Sequence, residues 1–419
     1  MFQLIFLFQL IKTIITKEII IPFYIKYKNS EWTQLNYIEK NLFYHVFTNL
    51  QIGNPIQEVP VELTLSSYLF IISGSTVYNS VYNESLSKTF HQITIKDIKR
   101  SQEIFYFNNS KNKEIEVKDL KFLLSTNTYI NTPSSLGLGF KTKNEEIYDN
   151  FVVQLKTLNV INKYVWSFIY DDDEKGKIII GKYPHEYNST FKENNIKTTN
   201  AEIENNKFLW ELLFDEITYD NFITNDLNRK GIFDINSKFI KGPSIFRDYL
   251  LKNNFVDNKT CFENYVSPGY YYFYCNDDFN VKSFKNLVFK HKYLNNSFTL
   301  TYEDLFIKIE DKYFFLILVK SYRAYNWELG QPFIRKFNFF FDADKKLIGY
   351  YSEFDNKDNN HFMKIFLIVL FIFIIIGLFI YSKDKLKKNR KVRYNEIEDI
   401  YDYTPSKDNN NDKNDKLLN

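Results

Sequence analysis

The sequence predicts an all-β fold made of two similar halves, and three observations carry that expectation. From about Tyr44 to Ser352, short runs alternate apolar and polar residues, which is the period of half-buried strands. Phe, Trp and Tyr make up 19% of the chain, a composition that suits strands and equally fits a general compositional bias. Landmarks also recur. Ile52-Gly53-Asn54-Pro55 precedes one strand, and roughly 180 residues later Phe233-Asp234 opens another that ends at Gly242-Pro243. The halves then close on apolar–Gly pairs, Leu136-Gly137 and Leu329-Gly330.

The elements follow in order. Val59–Ile72 alternates through VPVELTLSSYLFII, and Tyr164–Gly181 reads as strand, turn at Asp171–Gly176, and strand. Asn150–Val160 and Ser244–Lys252 suit short helices, the second just after Gly242-Pro243. Phe298–Leu318 and Phe333–Tyr351 repeat strand, polar turn and strand, with a hairpin turn at Asp342–Lys346.

With 419 residues, 44% hydrophobic and 25% charged, the chain can bury one large core or two lobes. A net charge of +3, evenly spread, excludes a nucleic-acid surface. His45, His91, His185, His291 and His361 are scattered without metal-ligand spacing, so neither metal nor cofactor is expected. Cys261 and Cys275, with an apolar N-terminus, predict one disulfide in an oxidising compartment.

Two hydrophobic segments suggest a topology. Phe2–Ile11 has the length of a signal-peptide core, which gives residues 1–17 as a signal. Ile365–Tyr381 is 17 residues without a charge, which predicts a transmembrane helix over 362–381. Lys383, Lys385, Lys387, Lys388, Arg390, Lys391 and Arg393 follow it and would keep the tail, 382–419, on the cytoplasmic side. The expected protein is single-pass and type I, of the secretory or endolysosomal pathway or the cell surface, with residues 18–355 lumenal or extracellular. Asn83, Asn108, Asn188, Asn258 and Asn295 begin glycosylation sequons, which agrees with that side of the membrane.

Several blocks, in this order and spacing, resemble the pepsin-like aspartic proteases across roughly residues 20–352. They are Ile52-Gly53-Asn54-Pro55-Ile56-Gln57, the run Ser66–Ile71, Ser85–Phe90, and Leu136-Gly137-Leu138-Gly139-Phe140. In the second half, Gly231-Ile232-Phe233-Asp234 through Gly242-Pro243 has the length of that family's second active-site loop. Trp327–Phe337 and Phe341-Asp342 to Ile348-Gly349-Tyr350 are similar to its C-terminal signature. The resemblance implies a bilobal double β-barrel, an N-lobe of about 40–185 and a C-lobe of about 186–355, with a cleft between them for a peptide or protein. It also puts Cys261 and Cys275 where the family has its usual C-lobe disulfide, and a monomer is expected.

The family's chemistry needs two carboxylates that share one proton and hold one water. Its loops read Asp-Thr-Gly-Ser/Thr. Here the second reads Asp234-Ile235-Asn236-Ser237-Lys238, which keeps the carboxylate, and Lys238 is a possible cation for it. In the first loop the aspartate falls on Leu63 counting back from Ser66-Ser67, or on Thr64 counting forward from Gln57. Neither supplies a carboxylate, and Glu62 lies roughly 6–7 Å from Thr64 along the strand. No glycine lies between Gly74 and Gly137, and Tyr106 is the candidate for the family's flap tyrosine. The expected protein is therefore a pseudoprotease that binds peptide or protein in its cleft. Two alternatives stay open: an active endopeptidase using Glu62, and a surface glycoprotein that keeps the fold as a scaffold. The stretch between the signal and the first expected strand is too short for the inhibitory prosegment that active members carry.

Overall fold

A computed structural model describes residues 18–351 apart from breaks at 28–37, 39–40, 42–43, 75–80, 96–97, 126–133, 140–149, 205–206, 221, 225–228, 253–259, 267–268, 295–296 and 323; it also describes 371–372, 374–377, 381 and 383. The chain divides into two compact units, residues 1–353 and 354–419.

The first unit is built on two large sheets. One has 13 strands among the described residues. It runs from the edge strand Ile196–Asn200 through Leu347–Tyr351, Phe340–Asp342, Val165–Tyr170, Lys175–Ile180, Ile19–Tyr27, Tyr44–Ile52 and Gln57–Thr64. It continues through Ser135–Gly137, Phe70–Ser73, Glu114–Ser125 and Ile98–Asn108 to His91–Ile95. The other has 12 strands, all between Glu211 and Leu329. Alternation explains the local choice of strand. In Gln57–Thr64, Val59, Val61 and Leu63 face the core while Glu58, Pro60, Glu62 and Thr64 face outward.

Aromatic packing joins the sheets. Trp166 and Phe341 from the first meet Phe233 from the second and Trp210 just before its first strand, with ring centroids 5.1–5.4 Å apart for Trp166–Trp210, Trp210–Phe341 and Phe233–Phe341. Phe233 immediately precedes Asp234, so this seam fixes the second loop against the first sheet. Cys261 and Cys275 are directly opposite on neighbouring strands and form the expected disulfide.

Three expectations are corrected here. The strand Ile19–Tyr27 lies between Tyr44–Ile52 and Lys175–Ile180, so β-structure begins well before Tyr44. The expected double barrel is not confirmed: the strands of the described residues run in two large sheets. The first folds back where Ile98–Asn108 touches Tyr44–Ile52 at Gln51/Tyr106 and Ile52/Phe105, and Ile19–Tyr27 at Ile20/Asn108.

The third correction is the membrane helix. Among the described residues no helix is long and apolar enough to cross a membrane. The single-pass type I topology and the membrane attachment expected through 362–381 are therefore withdrawn. Most of 362–381, the signal 1–17 and nearly all of the tail lie outside the described residues.

Candidate active site

The site is built from two loops that leave parallel strand pairs in the same way. In the first sheet Leu63 pairs with Leu136 and Thr64 with Gly137. In the second, Phe233 pairs with Leu329, and Asp234 follows beside Gly330, its N–H donating to Leu329 O at 3.1 Å. Matching the pairs puts Thr64 in register with Asp234.

The turns agree residue by residue. Thr64 Oγ1 accepts from Ser66 N (3.3 Å), as Asp234 Oδ1 accepts from Asn236 N (3.1 Å). Ser67 Oγ accepts from Leu69 N (3.1 Å), as Ser237 Oγ accepts from Phe239 N (3.2 Å). Each loop is also pressed onto a glycine. A Cβ on Gly137 would lie 2.5 Å from Ser67 O, and one on Gly330 would lie 2.1 Å from Phe239 O and 2.7 Å from Ser237 O. Residues 64–69 and 234–239 are therefore equivalent, with no deletion between them. Leu63 is excluded as Asp234's counterpart because its side chain is wholly buried in the core.

The chemistry at the two tips differs. Thr64 Oγ1 lies 2.8 Å from Ser66 Oγ, a neutral hydroxyl pair. Asp234 Oδ2 accepts from Lys241 Nζ at 2.9 Å, and Lys241 also holds Glu328 at 2.8 Å. Lys320 completes the chain on Glu328 at 2.8 Å. Burial works against the Lys241 charge, but Asp234 and Glu328 outweigh it and raise its pKa above the ordinary lysine value. Burial likewise opposes ionisation of Glu328, and Lys241 and Lys320 outweigh it, so its carboxyl sits below the usual range.

Lys241, not the expected Lys238, is thus the cation on Asp234. Lys238 feels Asp173 and Glu174, and burial pulls its pKa down. It lines a hollow of about 460 Å³ beside the second loop, together with Gln331, Arg335, Phe306 and Leu316.

Asn236 reaches across to the first sheet. Its amide donates to Leu63 O (2.8 Å) and Glu62 Oε1 (3.3 Å), and its Oδ1 accepts from Val46 N (2.8 Å). Glu62 Oε1 also lies 2.8 Å from His45 Nδ1. Glu62 therefore meets the second loop through Asn236. Sequence reasoning placed Asn236 in the second loop but missed its reach to the first sheet, and it missed His45 and Lys241 as members of the site. The one signal for Lys241 was its place just before Gly242-Pro243 in the loop that resembles the family.

Tyr106 pairs with Gln51 and with Glu116, and lines a hollow with Tyr24, Asn49 and Glu58. It stands eight residues, roughly 26 Å, along its strand from Ile98, where the preceding hairpin turns. Among the sequons, Asn108 is exposed at a strand end. Asn83 caps a short 3-10 turn by accepting from Ser85 N, and Asn188 accepts from Thr190 N. Asn258 and Asn295 lie outside the described residues.

With the twin loops established, the comparisons with known proteins fall into place. The family model "Eukaryotic aspartyl protease" matches residues 45–352. The chain belongs to this family. No curated protein matches the sequence. Among solved structures it is similar to Basic 7S globulin from soybean, at 12% identity and a TM-score of 0.58, covering 81% of this chain and 98% of that one. It is also similar to conglutin gamma, a basic 7S globulin from lupine seeds, at 11% identity and a TM-score of 0.59, covering 81% and 95%. At such identities the likeness concerns the fold.

Proposed function

We propose that this family member is a pseudoprotease that holds a peptide or protein segment in its cleft without cleaving it. The observation that carries the reading is the register of Thr64 with Asp234. A hydroxyl occupies the place where the family mechanism needs its first carboxylate. A hydroxyl can orient water, but it cannot share a titrating proton with a carboxylate in the acid–base exchange that peptide hydrolysis requires. Asp234 faces the Lys241 ammonium instead of a second carboxyl. Glu62, the carboxylate two residues before Thr64, is engaged by His45 and Asn236. The hollow beside Lys238 and Gln331 offers both apolar wall, at Phe306 and Leu316, and charged rim, at Arg335.

The test uses the purified full chain and a fluorogenic peptide library, from acid to neutral pH, with pepstatin and with Asp234→Asn. The expected result is saturable peptide binding and no pepstatin-sensitive cleavage. Cleavage that pepstatin blocks and Asp234→Asn abolishes would overturn the reading and favour an active endopeptidase. Absence of any peptide binding would favour a fold retained as scaffold.

A further inference from the structure

A second pocket, separate from the twin loops, lies where the edge of the first sheet meets the second. It encloses about 400 Å³, within the usual range for small-molecule sites. Its walls come from Thr198–Asn200 and Leu347 on one side, and from Glu211, Leu213 and His291 on the other.

Two of its titratable side chains are more than nine-tenths buried, Glu211 at 6% exposure and His291 at 3%. The backbone N–H of Tyr293 donates to His291 Nδ1 at 3.0 Å, which leaves the ring proton on Nε2 as a donor. Burial lowers the His291 pKa to about 4, with Asp215 opposing, so the imidazole is neutral at ordinary pH. Lys230 neutralises Glu211 from 2.8 Å. Thr198 and Asn200 add a hydroxyl and an amide, and Tyr293 stands 64% exposed at the rim.

This set of groups selects by charge. An anion would meet Glu202 and Glu211, and a cation would find only Glu202, exposed at the rim, since Lys230 already holds Glu211. Among the described residues no group of His, Cys, Asp and Glu is arranged to hold a metal. The lining thus combines carboxylate, hydroxyl, amide and neutral imidazole groups beside an exposed ring that carries Lys292 Nζ 5.2 Å from its centroid, which suits a ligand with many hydroxyls and one apolar face. Stacking on an aromatic ring serves that face, and the paired carboxylate accepts from hydroxyls.

We propose that the pocket formed by Thr198, Asn200, Glu211, His291 and Tyr293 binds a neutral pyranose unit, independently of the peptide cleft. The test is saturation-transfer NMR and calorimetry on the full chain with a panel of methyl hexopyranosides. At least one should bind, and Tyr293→Ala should weaken it by about threefold to tenfold, as loss of one stacking contact would. Tyr293→Phe should retain most of the affinity. Glu211→Gln should also weaken binding, with thermal melting to check the fold, since Glu211 holds Lys230. Tyr293 is exposed, so its variants keep the test decisive if Glu211→Gln fails to fold. No transfer to any member of the panel, or binding unchanged in Tyr293→Ala, would overturn the proposal.

Discussion

The loops 64–69 and 234–239 share a frame and differ in what the frame presents. In both, a side-chain oxygen at the first residue accepts from the third residue's N–H, and the serine at the fourth accepts from the sixth. Both press backbone carbonyls onto a glycine that leaves no room for a methyl. The partners of the tips diverge: a hydroxyl pair in the first loop, and in the second a chain of alternating charge from Asp234 through Lys241 and Glu328 to Lys320. The frame depends on backbone groups, and on side chains that need only accept a hydrogen bond, so Thr serves in place of Asp. Catalytic identity depends on the pair of carboxyls, which the frame does not require. The fold can therefore persist when the chemistry is gone.

The largest break in this comparison should come from Lys241→Met. It removes the cation between two partly buried carboxylates and leaves both without their common partner. Deleting one member of a buried charge network costs about 3–5 kcal/mol, to be read from urea unfolding of the full chain. A loss below about 1 kcal/mol would mean that solvent screens the network. Asn236→Ala comes next, at about 2 kcal/mol, because it leaves Val46 N and Leu63 O without their side-chain partner. If the bridge between the sheets runs through this side chain, the variant should also open the first unit to proteolysis near the twin loops.

The sequence made some of this legible and hid the rest for physical reasons. The hairpin turns at Asp171–Gly176 and Asp342–Lys346 carried their own local signals. So did the helices Phe151–Thr157, capped by Asn150, and Ser244–Leu250, which follows Gly242-Pro243. The order of blocks pointed to Asp234 and to either Thr64 or Leu63, and it could not show the register that pairs Thr64 with Gly137 and Leu63 with Leu136. Ile19–Tyr27 was hidden because its outward positions carry Ile20, Pro22 and Tyr24, so burial alternates along the strand while the polarity of the sequence does not. Lys241 was hidden because its partner Glu328 is brought to it by strand pairing across 87 residues of chain. Lys238 was nearer to Asp234 in sequence, yet it lines the hollow with Asp173 and Arg335.

A smaller effect separates the loops by pH. Glu328 has its carboxyl held below the ordinary 4.5 in the folded chain, so the unfolded chain binds its proton first as pH falls. Its contribution is complete above about pH 4.5 and is lost as pH drops through the folded value. Glu328→Gln should therefore differ most from the parent in stability near neutral pH, and the difference should shrink below that point. Urea midpoints across the range give the curve, and a difference that grows toward acid pH would contradict the assignment.

The smallest expected effect is Ser66→Ala. Ser66 occupies the place that Asn236 holds in the second loop, but its hydroxyl meets the neighbouring Thr64 hydroxyl, at 2.8 Å and open to solvent. Water can replace that bond, so the loss should stay below about 1 kcal/mol. Set beside Asn236→Ala in one unfolding series, the pair measures how unequally the loops hold the two sheets together. If Ser66→Ala costs as much as Asn236→Ala, the first loop carries a cross-sheet bond of its own, and the asymmetry inferred from Asn236 would be confined to charge.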